Sequence, residues 1–255
     1  MDSSEIRVSD NLTESAVSEF IRIATQPRRP RGDREIDALE SNGVFSVSLA
    51  GGSTPRSLYS RLADDPSLSN QLAWDRIHFF WGDERHVPPD HPDSNYRMAF
   101  EAMLSKAPVP AENIHRIHSE LPDANDAARE YEDELRRFFK NEMPRFDLIL
   151  LGMGPDGHTA SLFPETEALN ERSRWVVANR VEKFNTHRIT LTAPVLNNAA
   201  NVVFLVSGQE KSQALKSVLE GPFQPDQFPS QLVKPVDGRL LWLVDKPAAS
   251  LLNQS

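Results

Sequence analysis

Three stretches of this chain combine residue types that could hold an anion and move a proton. The first is Gly51-Gly52-Ser53-Thr54-Pro55. Paired glycines let a backbone approach an anion closely, Ser53 and Thr54 offer hydroxyl donors, and Pro55 suits a first helical turn. If a helix starts there, its free N–H groups and dipole favour phosphate. A plain strand-to-helix turn with a hydroxyl cap uses the same residues, but the ordering of glycines before hydroxyls favours phosphate. No Gly-Lys-Ser/Thr follows, so this is not a Walker loop. The second stretch, Gly152-Met153-Gly154-Pro155-Asp156-Gly157, fits the dinucleotide pattern G-x-G-x-x-G. That pattern needs a sustained helix after its third glycine and an acid at the end of the next strand. Pro164 interrupts the segment, and the next strand ends in Asn179-Arg180, so nicotinamide binding is set aside. His158 follows directly, suited either to general acid/base work near neutral pH or to a bland capping or surface role. Asp156 either orients a reacting group or stabilises the turn.

The third stretch is Asp83-Glu84-Arg85. Its place at a strand end turns Arg85 inward, toward a substrate oxyanion or toward Asp83. Arg188, at the start of a strand, and Lys211, in the first turn of a helix, are unremarkable singly. With Ser53 and Thr54 they could supply the cations that a dianionic phosphate requires. Other templates fail: there is no G-x-S-x-G elbow and no H-E-x-x-H. His115 and His118 alternate in an extended piece and read as exposed. No metal, cofactor or covalent intermediate is expected.

The elements that must position these residues form a rhythm. Continuous apolar runs at 44–50 (VFSVSLA), 77–81 (IHFFW), 146–151 (FDLILL), 202–207 (VVFLVS) and 240–244 (LLWLV) read as strands, with further strands at 174–178 and 188–192. Helical spacing covers 12–24, 56–63, 94–104, 124–140 and 209–219. Short buried strands separated by helices predict an α/β fold, a mostly parallel sheet with helices on both faces. Ligands of such sheets bind beyond the carboxyl ends of the strands, where the three stretches fall. The polar N-terminus and the Arg28–Asn42 segment read as surface connections.

The chain has 255 residues, 39% of them hydrophobic and 25% charged, enough to build a core in one α/β domain spanning 1–255. With 28 basic and 37 acidic residues the net charge is −9, which opposes non-specific nucleic-acid binding. The absence of Cys excludes a disulfide scaffold, a thiolate nucleophile and a zinc ribbon. No signal peptide or membrane span is read, so the expectation is a cytoplasmic protein without membrane partners, a monomer or weak homodimer.

Taken as a set, these residues resemble the 6-phosphogluconolactonase family. The resemblance lies in Leu49–Pro55, Trp81–Pro88 (WGDERHVP), Asp93–Tyr96 (DSNY), Gly152–Pro164 (GMGPDGHTASLFP), Arg188–Thr192 (RITLT), Pro194–Asn197 (PVLN), Gly208–Lys211 (GQEK) and Trp242–Asp245 (WLVD). The related glucosamine-6-phosphate deaminases look similar in the glycine loop, Asp83-Glu84 and Asp156-Gly157-His158. Arg85 leading to Val87-Pro88, and Thr159–Pro164 (TASLFP) after His158, side with the lactonases. The resemblance implies a modified Rossmann-like sheet and hydrolysis of 6-phospho-D-glucono-1,5-lactone. It implies His158 as acid/base, with Asp156 and Arg85 beside it. Gly51, Gly52, Ser53, Thr54, Arg188 and Lys211 are then the phosphate side.

Overall fold

The computed structural model describes residues 4–26 and 43–253. Strands β1 (Ser4–Ser9), β2 (Phe45–Leu49), β3 (Ile77–Trp81), β5 (Leu148–Gly152), β8 (Asn201–Val206) and β9 (Arg239–Asp245) form one sheet in the order β1-β9-β8-β5-β2-β3. Every pair in it is parallel. Helices α1 (Leu12–Thr25) and α2 (Ser53–Asp64) lie on the face of Arg7 and Arg239, and α4 (Ala124–Phe138) packs Phe138 on Phe80 of the other. Between them come α3 (Asn95–Ala99), continued by a π turn through Leu104, and after β8 comes α5 (Ser212–Glu220). This is the α/β arrangement that the alternating apolar runs predict. Such strands are apolar on both faces because both are covered: Val47, Leu49, Phe79, Phe80, Ile149, Val202 and Phe204 are all buried. Phe204 stacks on Trp242 across the β8–β9 pair at 3.8 Å.

Two features depart from the sequence reading. The sequence predicts strands at 174–178 and 188–192 in a mostly parallel fold. They instead form a separate antiparallel sheet, in which β7 (Thr186–Leu191) lies between β4 (Asp83–Arg85) and β6 (Val176–Val181). The connection between β6 and β7 is a tight turn closed by Asn185 in the left-handed region, and so short a link joins strands only antiparallel. The polar N-terminus is likewise no surface connection, because Ser4–Ser9 is an edge strand paired to β9. Its signal is ionic. The carboxylate of Glu19 on α1, only 3% exposed, gathers Arg7 of β1, Arg22 and Arg239 of β9. The segment 28–42 lies outside the described residues. No helix among the described residues is long and apolar enough to cross a membrane.

Candidate active site

Sheet order assembles the site. Four adjacent strands, β8, β5, β2 and β3, release at their carboxyl ends the segments that carry Lys211, His158, Gly51–Thr54 and Asp83–Arg85. A cavity of about 250 Å³ opens there, lined by residues of all four segments.

Gly51 and Gly52 make the turn into α2. Gly52 caps the helix at φ +104°, where a side chain is strained. Gly51 is required for space, since a Cβ there would lie 1.9 Å from Asn95 Oδ1. The N–H groups of Ser53 and Thr54 open the helix, and first-turn N–H groups have no intrahelical acceptor. The turn is fixed from below: the hydroxyl of buried Tyr59 donates to Ala50 O and accepts from Ala50 N, both at 2.9 Å. Tyr131 clasps Trp81 at the end of β3 in the same way, donating at 3.0 Å and accepting at 2.9 Å.

Glu84 and Asp83 serve the frame. Glu84 is 1% exposed and accepts from Asn95 N (2.7 Å), Tyr96 N (2.8 Å), Arg85 N (2.8 Å) and Ser94 Oγ (3.0 Å). Asp83 accepts from Ser161 Oγ at 2.6 Å, while Asn95 donates to the Asp83 backbone oxygen at 2.9 Å. Arg85 is offered by the sequence as a partner for a substrate oxyanion or as a holder of Asp83. It lines the cavity but donates to the carbonyl of Asp93, and Asp83 is held by Ser161 and Asn95. Asn95 and Ser161 therefore belong to the site's frame. Both stood inside the motif stretches, but nothing in one dimension pairs them with Asp83.

His158 sits on the loop after β5, and no helix follows Gly157. The loop bends through Gly157 (φ +75°) and Ala160 (φ +47°), which turns the imidazole back over Gly154. Its Nδ1 is hydrogen-bonded to Asp156 Oδ1, and its ring stacks on Phe163 at 4.1 Å. The second oxygen of Asp156 lies 3.5 Å from Lys183 Nζ. Burial of Asp156 opposes its ionisation, but the His158 hydrogen bond and charge outweigh it and hold the carboxyl well below the usual carboxylate range. An ionised carboxylate only accepts, so Nδ1 is the donor in this bond and Nε2 is the ring nitrogen not engaged by Asp156.

The cations fall in two places. Lys211, next to the first residue of α5, lines the cavity with His158 and Arg85. Arg188 does not line it; it stands opposite Arg85 in the β4–β7 register, over the ring of Phe184 at 5.5 Å. Burial, and then the neighbouring charge of Arg85, lower the Arg188 pKa from its ordinary value. Among the described residues none of Arg85, Arg188 and Lys211 forms an ion pair. Arg85 and Arg188 are like charges placed opposite each other, which repel.

Among the described residues no cluster of three or more His, Asp or Glu could hold a metal ion. His115 is not exposed as its alternation suggested: it is stacked on Phe80 at 4.3 Å and bonded to His78 and Glu134.

The parallel α/β sheet thus ends in a glycine turn at a helix start beside a carboxylate-oriented histidine. Residues 32–242 match the family described as glucosamine-6-phosphate isomerases/6-phosphogluconolactonase, and the chain belongs to that family. Within it, the chain is 44% identical to a 6-phosphogluconolactonase of Nostoc sp. over 219 residues, 85% of this chain and 88% of that protein. The crystal structure of 6-phosphogluconolactonase from Thermotoga maritima superposes with a TM-score of 0.77 at 31% identity, covering 96% of this chain and 100% of that one. A monomeric glucosamine-6-phosphate deaminase shares the fold, with a TM-score of 0.75 at 19% identity over 97% of this chain and 99% of that one.

Proposed function

We propose that this protein hydrolyses 6-phospho-D-glucono-1,5-lactone to 6-phospho-D-gluconate, the second step of the oxidative pentose phosphate pathway. The observation that carries the reading is His158, bonded to Asp156, on the wall of a cavity shared with the glycine turn and Lys211. A δ-lactone is an activated ester, so water can add to its carbonyl without a protein nucleophile. Nε2 of His158 takes a proton from that water as the C1–O bond forms. Asp156 keeps the ring in the required tautomer and stabilises the imidazolium. Arg85 offsets the charge that develops on the carbonyl oxygen. The tetrahedral intermediate then collapses, the bond from C1 to the ring oxygen breaks, and the imidazolium returns the proton to that oxygen. Water and lactone are consumed and one acid is formed, so atoms and charge balance.

Gly51, Gly52, Ser53, Thr54, Arg188 and Lys211 hold the phosphate, and binding energy far from C1 thereby fixes the reacting carbonyl. The isomerase or deaminase alternative needs a carboxylate free to abstract a carbon-bound proton. Asp83, its candidate, is engaged by Ser161 at 2.6 Å, which supports hydrolysis. If Lys211 grips phosphate, Lys211→Ala weakens 6-phosphogluconate binding at least tenfold and gluconate binding hardly at all, as isothermal titration would read. Equal losses for the two ligands contradict the phosphate assignment.

A further inference from the structure

The chain between α5 and β9, residues 221–238, takes no part in the proposed chemistry, yet it touches both halves of the site. Ser230 N donates to Gly157 O at 2.9 Å, and Phe228 packs so closely on Gly157 that a Cβ there would lie 2.9 Å from its ring. Asp226 O accepts from Glu165 N at 3.0 Å. The loop bearing His158 is thus pinned near both its ends. Gln231, 6% exposed, spends both ends of its amide on the same segment and on α5. Its Oε1 accepts from Gln224 N at 2.7 Å, and its Nε2 donates to Pro222 O at 3.0 Å and Ser217 O at 3.1 Å. The latter is a carbonyl at the end of the helix whose start adjoins Lys211. Asn197, the last residue of the PVLN stretch, holds the other limb. It donates to Leu232 O at 2.8 Å and accepts from Lys234 N at 2.6 Å, and its backbone oxygen accepts from Val236 N at 2.9 Å.

We infer that residues 221–238 form a strap that sets the His158 loop against the Lys211 helix, with Gln231 and Asn197 as positioning residues. The physical need is plain. The loop has left-handed backbone at Gly157, Ala160 and Glu165 and belongs to neither sheet, so its shape must be imposed by neighbours. A displacement of about 1 Å at such a loop costs on the order of a hundredfold in rate. The inference rests on His158 being the base.

Its test compares Gln231→Ala and Asn197→Ala with a matched control, Asn198→Ala. Asn198 donates to the Met143 and Pro144 carbonyls at 3.1 Å and to no residue of the strap. All are assayed at a temperature where circular dichroism shows them folded; if Gln231→Ala does not fold, Gln231→Met replaces it. Expected is a tenfold or greater fall in kcat with a raised KM for the two strap variants, and wild-type constants for the control. The hydrogen-bonded ring N–H resonance of His158 should broaden or vanish in the strap variants alone. Unchanged constants and an unchanged resonance in folded Gln231→Ala overturn the strap. If wild type itself does not turn over the lactone, the functional reading fails, and the resonance alone then decides for or against the strap.

Discussion

His158 is useful only because of what stands next to it. Asp156, two residues earlier, fixes its proton, Phe163 fixes its plane, and Gly154 leaves it room. A Cβ on Gly154 would lie 2.1 Å from His158 Nδ1, so Gly154→Ala must push the ring off Asp156. We expect that variant to fold and to lose about a hundredfold in kcat, by the same sensitivity to misplacement. Steady-state kinetics together with the melting temperature would check this, and wild-type turnover would contradict it. At this scale the sequence was informative where partners are near in number. Asp156 and His158 share one turn, and Gly51–Thr54 is contiguous. It was silent on Asp83 with Ser161 and on Arg85 with Arg188, which meet through the β4–β7 sheet and loops from distant parts of the chain.

Strands β2, β3, β5, β8 and β9 were readable as apolar runs because both faces of the parallel sheet are covered. β1 was not, because a peripheral strand held by Glu5, Arg7 and Arg239 leaves no hydrophobic signature. Nor was the chain linking β3, the segment before α4, and α4 itself. There His115 Nδ1 donates to Glu134 Oε1 at 2.7 Å, which makes its Nε2 the acceptor for His78 Nδ1 at 2.9 Å. Glu134 also pairs with Arg137, and Glu112 faces His78. Burial lowers the pKa of both imidazoles; the neighbouring His115 adds to this at His78, while Glu134 opposes it at His115. The unfolded chain therefore binds protons here more readily than the fold does. The stability of this cluster is full above the ordinary histidine value of 6.5 and is lost as pH falls below it, toward the lower folded values. Denaturant unfolding across this range should show that decline, and His78→Gln/His115→Gln should flatten it. An unchanged slope in the double variant would refute the assignment.

Across the whole molecule, Glu19 ties the first helix to the β1–β9 edge of the sheet. It joins α1, β1 and β9 through three arginines, adding a buried ionic link to the backbone ladder that pairs the first and last strands. Replacing it leaves cations without their acceptor, and we expect Glu19→Ala to lower stability by about 1–3 kcal/mol. For a protein of this size each kcal/mol corresponds to roughly 2–4 °C in Tm. The site is remote from Glu19, so kcat should hold at 25 °C; a Tm equal to wild type would contradict this role. The overall negative charge and the cationic site are not in conflict. Arg85 and Lys211 line the cavity and Arg188 stands beside Arg85, so the local field there is positive whatever the surface balance.

The most direct test of the account is lactone hydrolysis itself. 6-Phosphogluconolactone would be generated in situ, the spontaneous rate subtracted, and wild type run beside His158→Ala. The account predicts acceleration by wild type and a loss of about 10²–10⁴-fold in the variant, which still binds 6-phosphogluconate. No acceleration by wild type, or near-normal turnover by His158→Ala, would contradict it.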